Sequence, residues 1–252
     1  MTYSTLSIER DGGLAIVRMQ RPEARNALNV ELIADLAAAA RDLRDAREIG
    51  AVILTGSDTC FSAGADRKDQ RIFAPEGRSL LDHWKDTEAG SDAARAWEAL
   101  PGVTIAAIEG FAIGGGFTLA MACDFRVLGA TAFIQVPEVP LGFNYGWNSI
   151  PRMINLIGPA RTKRVVILGE RIDAATAVDW GLADHVVDPG CALSEARRIA
   201  AHCLQQPQMA VQFTKRSVNA TVNLSLDATS HADMAQILLC LQEMNRETVA
   251  RP

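Results

Sequence analysis

Short apolar runs separated by glycine, proline and polar residues outline the chain. TLSIER, Asp11-Gly12-Gly13 and LAIVRM predict two strands and a tight turn, because an Asp-Gly pair readily takes the positive φ such a turn requires. A helix is predicted after RPEARNAL. Asn29 suits its N-cap, Glu31 its first turn, and Ile33, Leu36, Ala40 and Leu43 share one face. AVILTG is apolar throughout and reads as a strand buried on both sides. Asp69 to Leu100 reads as polar helix with irregular breaks. VTIAAIEG is a second buried strand, leading into three glycines and a short helix, with FRVL and AFIQV as further strands. From Trp147 the pattern turns helical through IPRMINLIG, PARTKRVVILG and DAATAVDWG, interrupted by the small strand ADHVV. Beyond Pro189-Gly190 only helices are predicted, over 193–204, 209–221 and 226–246. The expected organisation is an α/β region over residues 1–190 and an all-helical region over 191–252.

Composition narrows the class. At 252 residues, 48% apolar and 22% charged, the chain can bury one large core or two modest ones. The net charge is −5 and the basic residues are scattered, which argues against a nucleic-acid partner. The N-terminus has neither a basic nor an apolar leader segment. The longest apolar tract, Thr104 to Cys123, contains Glu109 and four glycines, so it predicts a buried strand-turn-helix and no membrane partner. Five cysteines without C-x-x-C spacing fit reduced thiols and a cytoplasmic location, with no metal site.

Candidate chemistry centres on FAIGGGFTLAMACDF. Each glycine costs a helix about 1 kcal/mol relative to alanine, so the triplet answers another need: a special backbone conformation or a close approach to the main chain. A helix starting near Gly115 exposes unpaired N–H groups, which is half of an oxyanion hole. TCFSAGAD, Thr59 to Asp66, is a second small-residue loop after a buried strand and could supply the other donor. Taken singly, the triplet reads first as a tight strand-to-helix crossing and SAGAD as an ordinary loop. No G-x-G-x-x-G, G-x-x-x-x-G-K-[ST] or G-x-S-x-G pattern is present, so neither a nucleotide nor a serine nucleophile is supported.

The ordered set RPEARNAL, FSAGAD, IEGFAIGGGFTLAMACD and FIQVPEVPLGF, continued by GPARTKRVVILGERIDAATAVDWGLADHVV, resembles the crotonase superfamily, the enoyl-CoA hydratases and isomerases. The resemblance implies a spiral of repeated ββα turns with a helical trimerisation region, and an acyl-CoA thioester substrate in which coenzyme A enters as part of the substrate rather than as a cofactor. By position it makes Ala65 and Gly115 the backbone donors to the thioester oxygen, and places Ala24, Arg25, Ala27, Ala63, Asp66 and Arg67 along the CoA moiety. Family hydratases carry two glutamates, one on the helix after the glycines and one in the Q-P-E segment. This chain has Thr118 and Glu138 there. A single carboxylate suffices to move a proton from the α- to the γ-carbon, so the expected reaction is the shift of a 3-enoyl-CoA to a 2-enoyl-CoA. The alternatives are a hydratase or hydratase-lyase using Glu138 and a water held by Thr118, and a non-catalytic acyl-CoA binding protein.

Pro137 and the apolar context of Glu138 predict a partly buried acid with a raised pKa. His83 is expected to pack beside Trp84. Asn144, Tyr145 and Trp147 are expected to shape the acyl pocket, and Lys215 to meet a CoA phosphate or lie on a solvated helix face. Met234, Ile237, Leu238 and Leu241 are more apolar surface than a peripheral helix needs, which predicts a homotrimer or dimer of trimers.

Overall fold

The computed structural model describes residues 3–73, 77, 79–224 and 232–250. Strands β1 (Leu6–Asp11) and β2 (Leu14–Met19) form the expected hairpin, pairing from Leu6↔Met19 to Asp11↔Leu14 across Gly12 and Gly13. Helix α1 (Val30–Asp45) follows, and the Asn29 side chain accepts from the Leu32 N–H at 3.0 Å, satisfying one of its four free donors. Leu32, Ile33, Leu36, Ala40 and Leu43 are buried on its inner face. Each buried Leu or Ile contributes about 1.5–3 kcal/mol.

Strands β3 (Ala51–Thr55), β4 (Val103–Ile108), β6 (Phe125–Gly129) and β9 (His185–Val187) extend the hairpin into a six-stranded sheet of order β1-β2-β3-β4-β6-β9, parallel after the first pair. Alternation along these strands divides their side chains between two cores. Val17, Leu54, Ala106 and Leu128 belong to the core that includes α1 and α3 (Leu80–Glu98), where Trp97 Nε1 donates to the Leu36 carbonyl at 3.1 Å. Ile16, Ile53, Ile105 and Val127 meet Ala192, Ala196 and Ala200 of α7 (Ala192–Leu204) on the other side. Alanine at every fourth position lets α7 lie close against the sheet. The first helix after Gly190 therefore shares a core with the α/β region.

VTIAAIEG does not run straight into the glycines. Gly110, at φ +64°, turns the chain where a β-carbon would stand 1.8 Å from the Thr59 carbonyl oxygen. FAI then forms β5 (Phe111–Ile113) in a second, three-stranded sheet with β7 (Phe133–Gln135) and β8 (Arg171–Asp173), in the order β5-β7-β8. One turn thus gives β4 to the large sheet, β5 to the small one and then α4 (Gly115–Met121). The next gives β6, β7 and α5 (Ser149–Leu168), which bends at Gly158-Pro159. This is the strand-strand-helix spiral expected from the resemblance.

The short α2 (Gln70–Phe73) precedes α3, and α6 (Ala174–Trp180) precedes β9. After α7 come α8 (Gln208–Val222) and α9 (Asp233–Ala250); the start predicted for the last helix lies outside the described residues. No helix among the described residues is long and apolar enough to cross a membrane.

Two sequence expectations are corrected here. Lys215 is neither solvated nor free for a phosphate: its side chain is 8% exposed, and Nζ lies 2.7 Å from Asp124 Oδ2 and 2.9 Å from the Gly102 carbonyl oxygen. Ile237 and Leu241 are buried in the chain's own core, because α9 folds back onto α3, and so they are not surplus surface. Leu238 is only partly buried, while the Met234 side chain lies outside the described residues. His83 packs as expected, 1% exposed, with Nε2 2.8 Å from the Ile72 carbonyl oxygen.

Lys215→Met is expected to lower stability at the lower end of the ~3–5 kcal/mol seen when a buried ion pair loses one member, since Asp124 keeps 21% exposure. Urea unfolding at constant m-value measures it. A loss below ~1 kcal/mol would mean that water and the two hydrogen bonds from Thr104 suffice for Asp124.

Candidate active site

Three distant segments meet where the two small-residue loops cross. Phe61 and Ser62 donate their N–H groups to the Phe111 carbonyl at 3.1 and 3.2 Å, and Ile113 N–H donates to the Ser62 carbonyl at 3.0 Å, so TCFSAGAD lies along β5. RPEARNAL clasps the other side. Asn26 is 1% exposed, takes a left-handed conformation at φ 51°, and donates Nδ2 to the Phe61 carbonyl at 3.2 Å. Ser62 Oγ donates to the Asn26 carbonyl at 2.8 Å. Leu28 N–H donates to the Gly64 carbonyl and Asp66 N–H to the Leu28 carbonyl, at 2.8 and 3.0 Å, which pins Ala65 between them. Ala65 and Gly115 line one cavity of about 60 Å³. Among the described residues nothing accepts a hydrogen bond from either N–H.

Each glycine of the triplet makes room for a different neighbour. Gly114 has φ +49°, and a β-carbon there would stand 2.2 Å from Glu138 Oε1. At Gly115 it would meet the Trp147 ring at 2.7 Å, and at Gly116 the Ser62 side chain at 2.6 Å. The need inferred from sequence, close approach to the main chain, is met first by the protein's own side chains.

Glu138 follows β7 and lines the same cavity, 8% exposed. Its Oε2 is buried with no hydrogen-bond partner. Burial in these apolar surroundings pushes its pKa up to about 8, only partly opposed by backbone hydrogen bonding. Thr118 also lines the cavity, but other side chains engage its hydroxyl: it donates to Tyr145 OH at 3.0 Å and lies 2.7 Å from Ser149 Oγ. Tyr145 OH donates to the Gly114 carbonyl at 3.2 Å. Burial and the neighbouring Glu138 raise the Tyr145 pKa far above its usual value, which keeps the phenol protonated.

A separate groove of about 870 Å³ is lined by Ala24, Arg25, Ala27, Ala63, Asp66 and Arg67 together with Lys68. Asp66 is held by Arg21 at 3.0 Å, while Arg25, Arg67 and Lys68 are exposed. The strip Ala63 to Asp66 crosses from groove to cavity, so the residues assigned from sequence fall into two adjoining groups, six in the groove and four around the cavity.

Sequence reasoning missed part of the cavity wall. Asp86 of α3 is a second carboxylate on it, and Ile237 and Leu241 of α9 close it. The available signal for Asp86 was weak: it lies between His83 and Gly90, on the face of a polar helix that turns inward. Trp147, Asn144 and Tyr145 line the cavity, as expected for an acyl pocket.

Comparison with known proteins identifies the family. Residues 9–247 match the family model described as enoyl-CoA hydratase/isomerase. The crotonyl-CoA hydratase of Syntrophomonas wolfei is 32% identical over 248 residues, which is 98% of this chain and 94% of that protein. The short-chain-enoyl-CoA hydratase of Clostridium acetobutylicum is 32% identical over 229 residues, covering 90% and 85%. The crystal structure of an enoyl-CoA hydratase/isomerase from Mycobacterium paratuberculosis superposes with a TM-score of 0.88 at 26% identity, covering 96% of this chain and 95% of that one.

The Glu138 environment has a thermodynamic signature. Because burial raises this carboxyl's pKa from 4.5 to about 8 in the folded state, its contribution to stability is fully present below pH 4.5 and is lost progressively as pH rises from there to about 8. The melting temperature of the unmodified protein is therefore expected to fall relative to that of Glu138→Gln between pH 5 and 8 and to level off above that. Parallel curves would mean that the carboxylate is solvated.

Proposed function

The chain belongs to the enoyl-CoA hydratase/isomerase family, and from that membership we propose that it hydrates a 2-enoyl-CoA with Glu138 as the acid/base. The observation that carries the proposal is the buried carboxyl of Glu138, facing the same cavity as two backbone N–H groups that no described residue engages. With the thioester oxygen on Ala65 and Gly115, ionised Glu138 takes a proton from water as the water oxygen bonds to C3. The C2=C3 π electrons move toward the thioester, and the resulting enolate oxygen is held by the two N–H groups. Glu138 then returns the proton to C2, giving a 3-hydroxyacyl-CoA. Where an oxyanion hole acts, losing one of its donors typically costs about 10²–10³ in rate. The CoA moiety would follow the groove of Ala24, Arg25, Ala27, Ala63, Asp66 and Arg67, with the exposed Arg25, Arg67 and Lys68 available to its phosphates. Asp86 supports hydration over isomerisation, because water needs polar partners on the cavity wall beyond Glu138. The names of the relatives point the same way.

Isomerisation is the second reading, favoured by a different observation. Thr118 stands where family hydratases have a glutamate, and Ser149 and Tyr145 already engage its hydroxyl. One glutamate could then carry a proton from C2 to C4 of a 3-enoyl-CoA.

Purified protein supplied with 2-enoyl-CoA and 3-enoyl-CoA separates the readings through the absorbance of the conjugated thioester, which falls on hydration and rises on isomerisation. Hydration is expected, with kcat/KM rising with pH around 8 because ionised Glu138 starts the reaction. Glu138→Gln should lose ~10²–10⁴-fold in kcat while acyl-CoA binding persists. Isomerisation without hydration would select the second reading, and binding without turnover the non-catalytic one.

We further infer assembly into a homotrimer or dimer of trimers through α8, whose Met209, Phe213 and Val218 are 71%, 59% and 53% exposed. Light scattering should give three or six times the 27.1 kDa chain mass. A monomer at micromolar concentration would contradict it.

A further inference from the structure

We propose that Trp147 sets the length of acyl group the cavity accepts, restricting it to about four carbons. This rests on the acyl-CoA reading of the site above, but concerns a residue with no part in the proton transfers.

Trp147 and Asn148 both adopt left-handed backbone conformations, φ 57° and 59°, which residues with a β-carbon disfavour. Several groups hold them there. Arg152 Nη1 donates to the Trp147 and Asn148 carbonyls at 3.0 and 3.1 Å, and its guanidinium is fixed by Glu98 at 2.9 Å. Asn148 N–H donates to Asp233 Oδ2 of α9 at 3.1 Å. Two helices have also given up a side chain to the indole. A β-carbon on Gly90 in the middle of α3 would stand 2.0 Å from its ring, and one on Gly115 would stand 2.7 Å away. A glycine inside a nineteen-residue helix weakens it, and the space it leaves is filled by this ring.

The indole is thus a fixed wall beside the proposed oxyanion donor. The cavity it bounds is small, about 60 Å³, on the order of two water molecules at the ~30 Å³ each takes in the liquid. With the thioester carbonyl on Ala65 and Gly115, a space of this size admits only the first few acyl carbons. Longer chains would have to displace the ring, which is clamped, or part Ile237 and Leu241 of α9 from the core.

The test compares 2-enoyl-CoA substrates of four to ten acyl carbons with unmodified protein, Trp147→Phe, Trp147→Ala and Gly90→Ala. The unmodified protein should lose at least ~10-fold in kcat/KM between four and eight carbons. Trp147→Ala should reduce that ratio to within ~3-fold, with Trp147→Phe intermediate. Gly90→Ala, which displaces the ring without altering a residue of the cavity wall, should lower kcat/KM even for the four-carbon substrate. Calorimetric binding of saturated four- and eight-carbon acyl-CoA by the same proteins should give the same order. It reads the inference even if no substrate turns over, an outcome that would overturn the hydratase reading alone. Near-ultraviolet circular dichroism confirms folding, and Trp147→Phe and Gly90→Ala keep the test open if Trp147→Ala does not fold. A ten-carbon substrate bound or turned over as well as a four-carbon one, or an unchanged length profile in the folded variants, would overturn the proposal.

Discussion

The site depends on three chain segments approaching one another more closely than β-carbons allow. At Gly114, Gly115 and Gly116 the main chain meets Glu138, Trp147 and Ser62 in turn, each at a distance an alanine methyl would occupy. This contact brings the carboxyl, the indole wall and the Ala65 loop around one helix start. The glycines give up helix propensity at α4, and its remaining turn is short and buried, so packing and not propensity holds it in place.

Burial gives Glu138 the proton affinity that the proposed reaction requires, at a cost. A carboxyl in the open would be ionised and hydrated at neutral pH, and a weaker base. Among apolar neighbours its proton affinity approaches that of the medium, where it can both take and return a proton. The Tyr145, Thr118 and Ser149 hydroxyls bond to one another and to the Gly114 carbonyl, stabilising the wall next to Glu138 without adding charge. At Thr118, beside Glu138, this chain carries a hydroxyl cluster rather than a second charge.

Much of the fold was legible because local rules and burial agreed. The Asp11-Gly12 hairpin, the Asn29 cap, the inner face of α1 and the doubly buried AVILT strand all follow from spacing and residue type. The three-residue strands β5 and β8 were not legible, since they exist only through pairing with β7 and carry too few residues to show a period. Ala65, Gly115 and Glu138 could be placed from sequence because ordered motifs carried them. Asp86, Ile237 and Leu241 could not, because their place on the cavity wall depends on how α3 and α9 turn inward. Lys215 misled for a related reason: its partner, Asp124, lies 91 positions away by sequence number.

The cavity wall draws on residues from Ile33 near one end of the chain to Leu241 near the other. Synthesis on the ribosome delivers these in order, and domains fold largely as units during it. The large sheet can close once β9 has emerged, but the pocket still lacks Ile237 and Leu241, and Asn148 lacks Asp233, until α9 follows. The wall is therefore unfinished until α9 has emerged. A ligand held across this wall would favour the docked position of α9, so occupancy of the cavity and packing of that helix are thermodynamically linked.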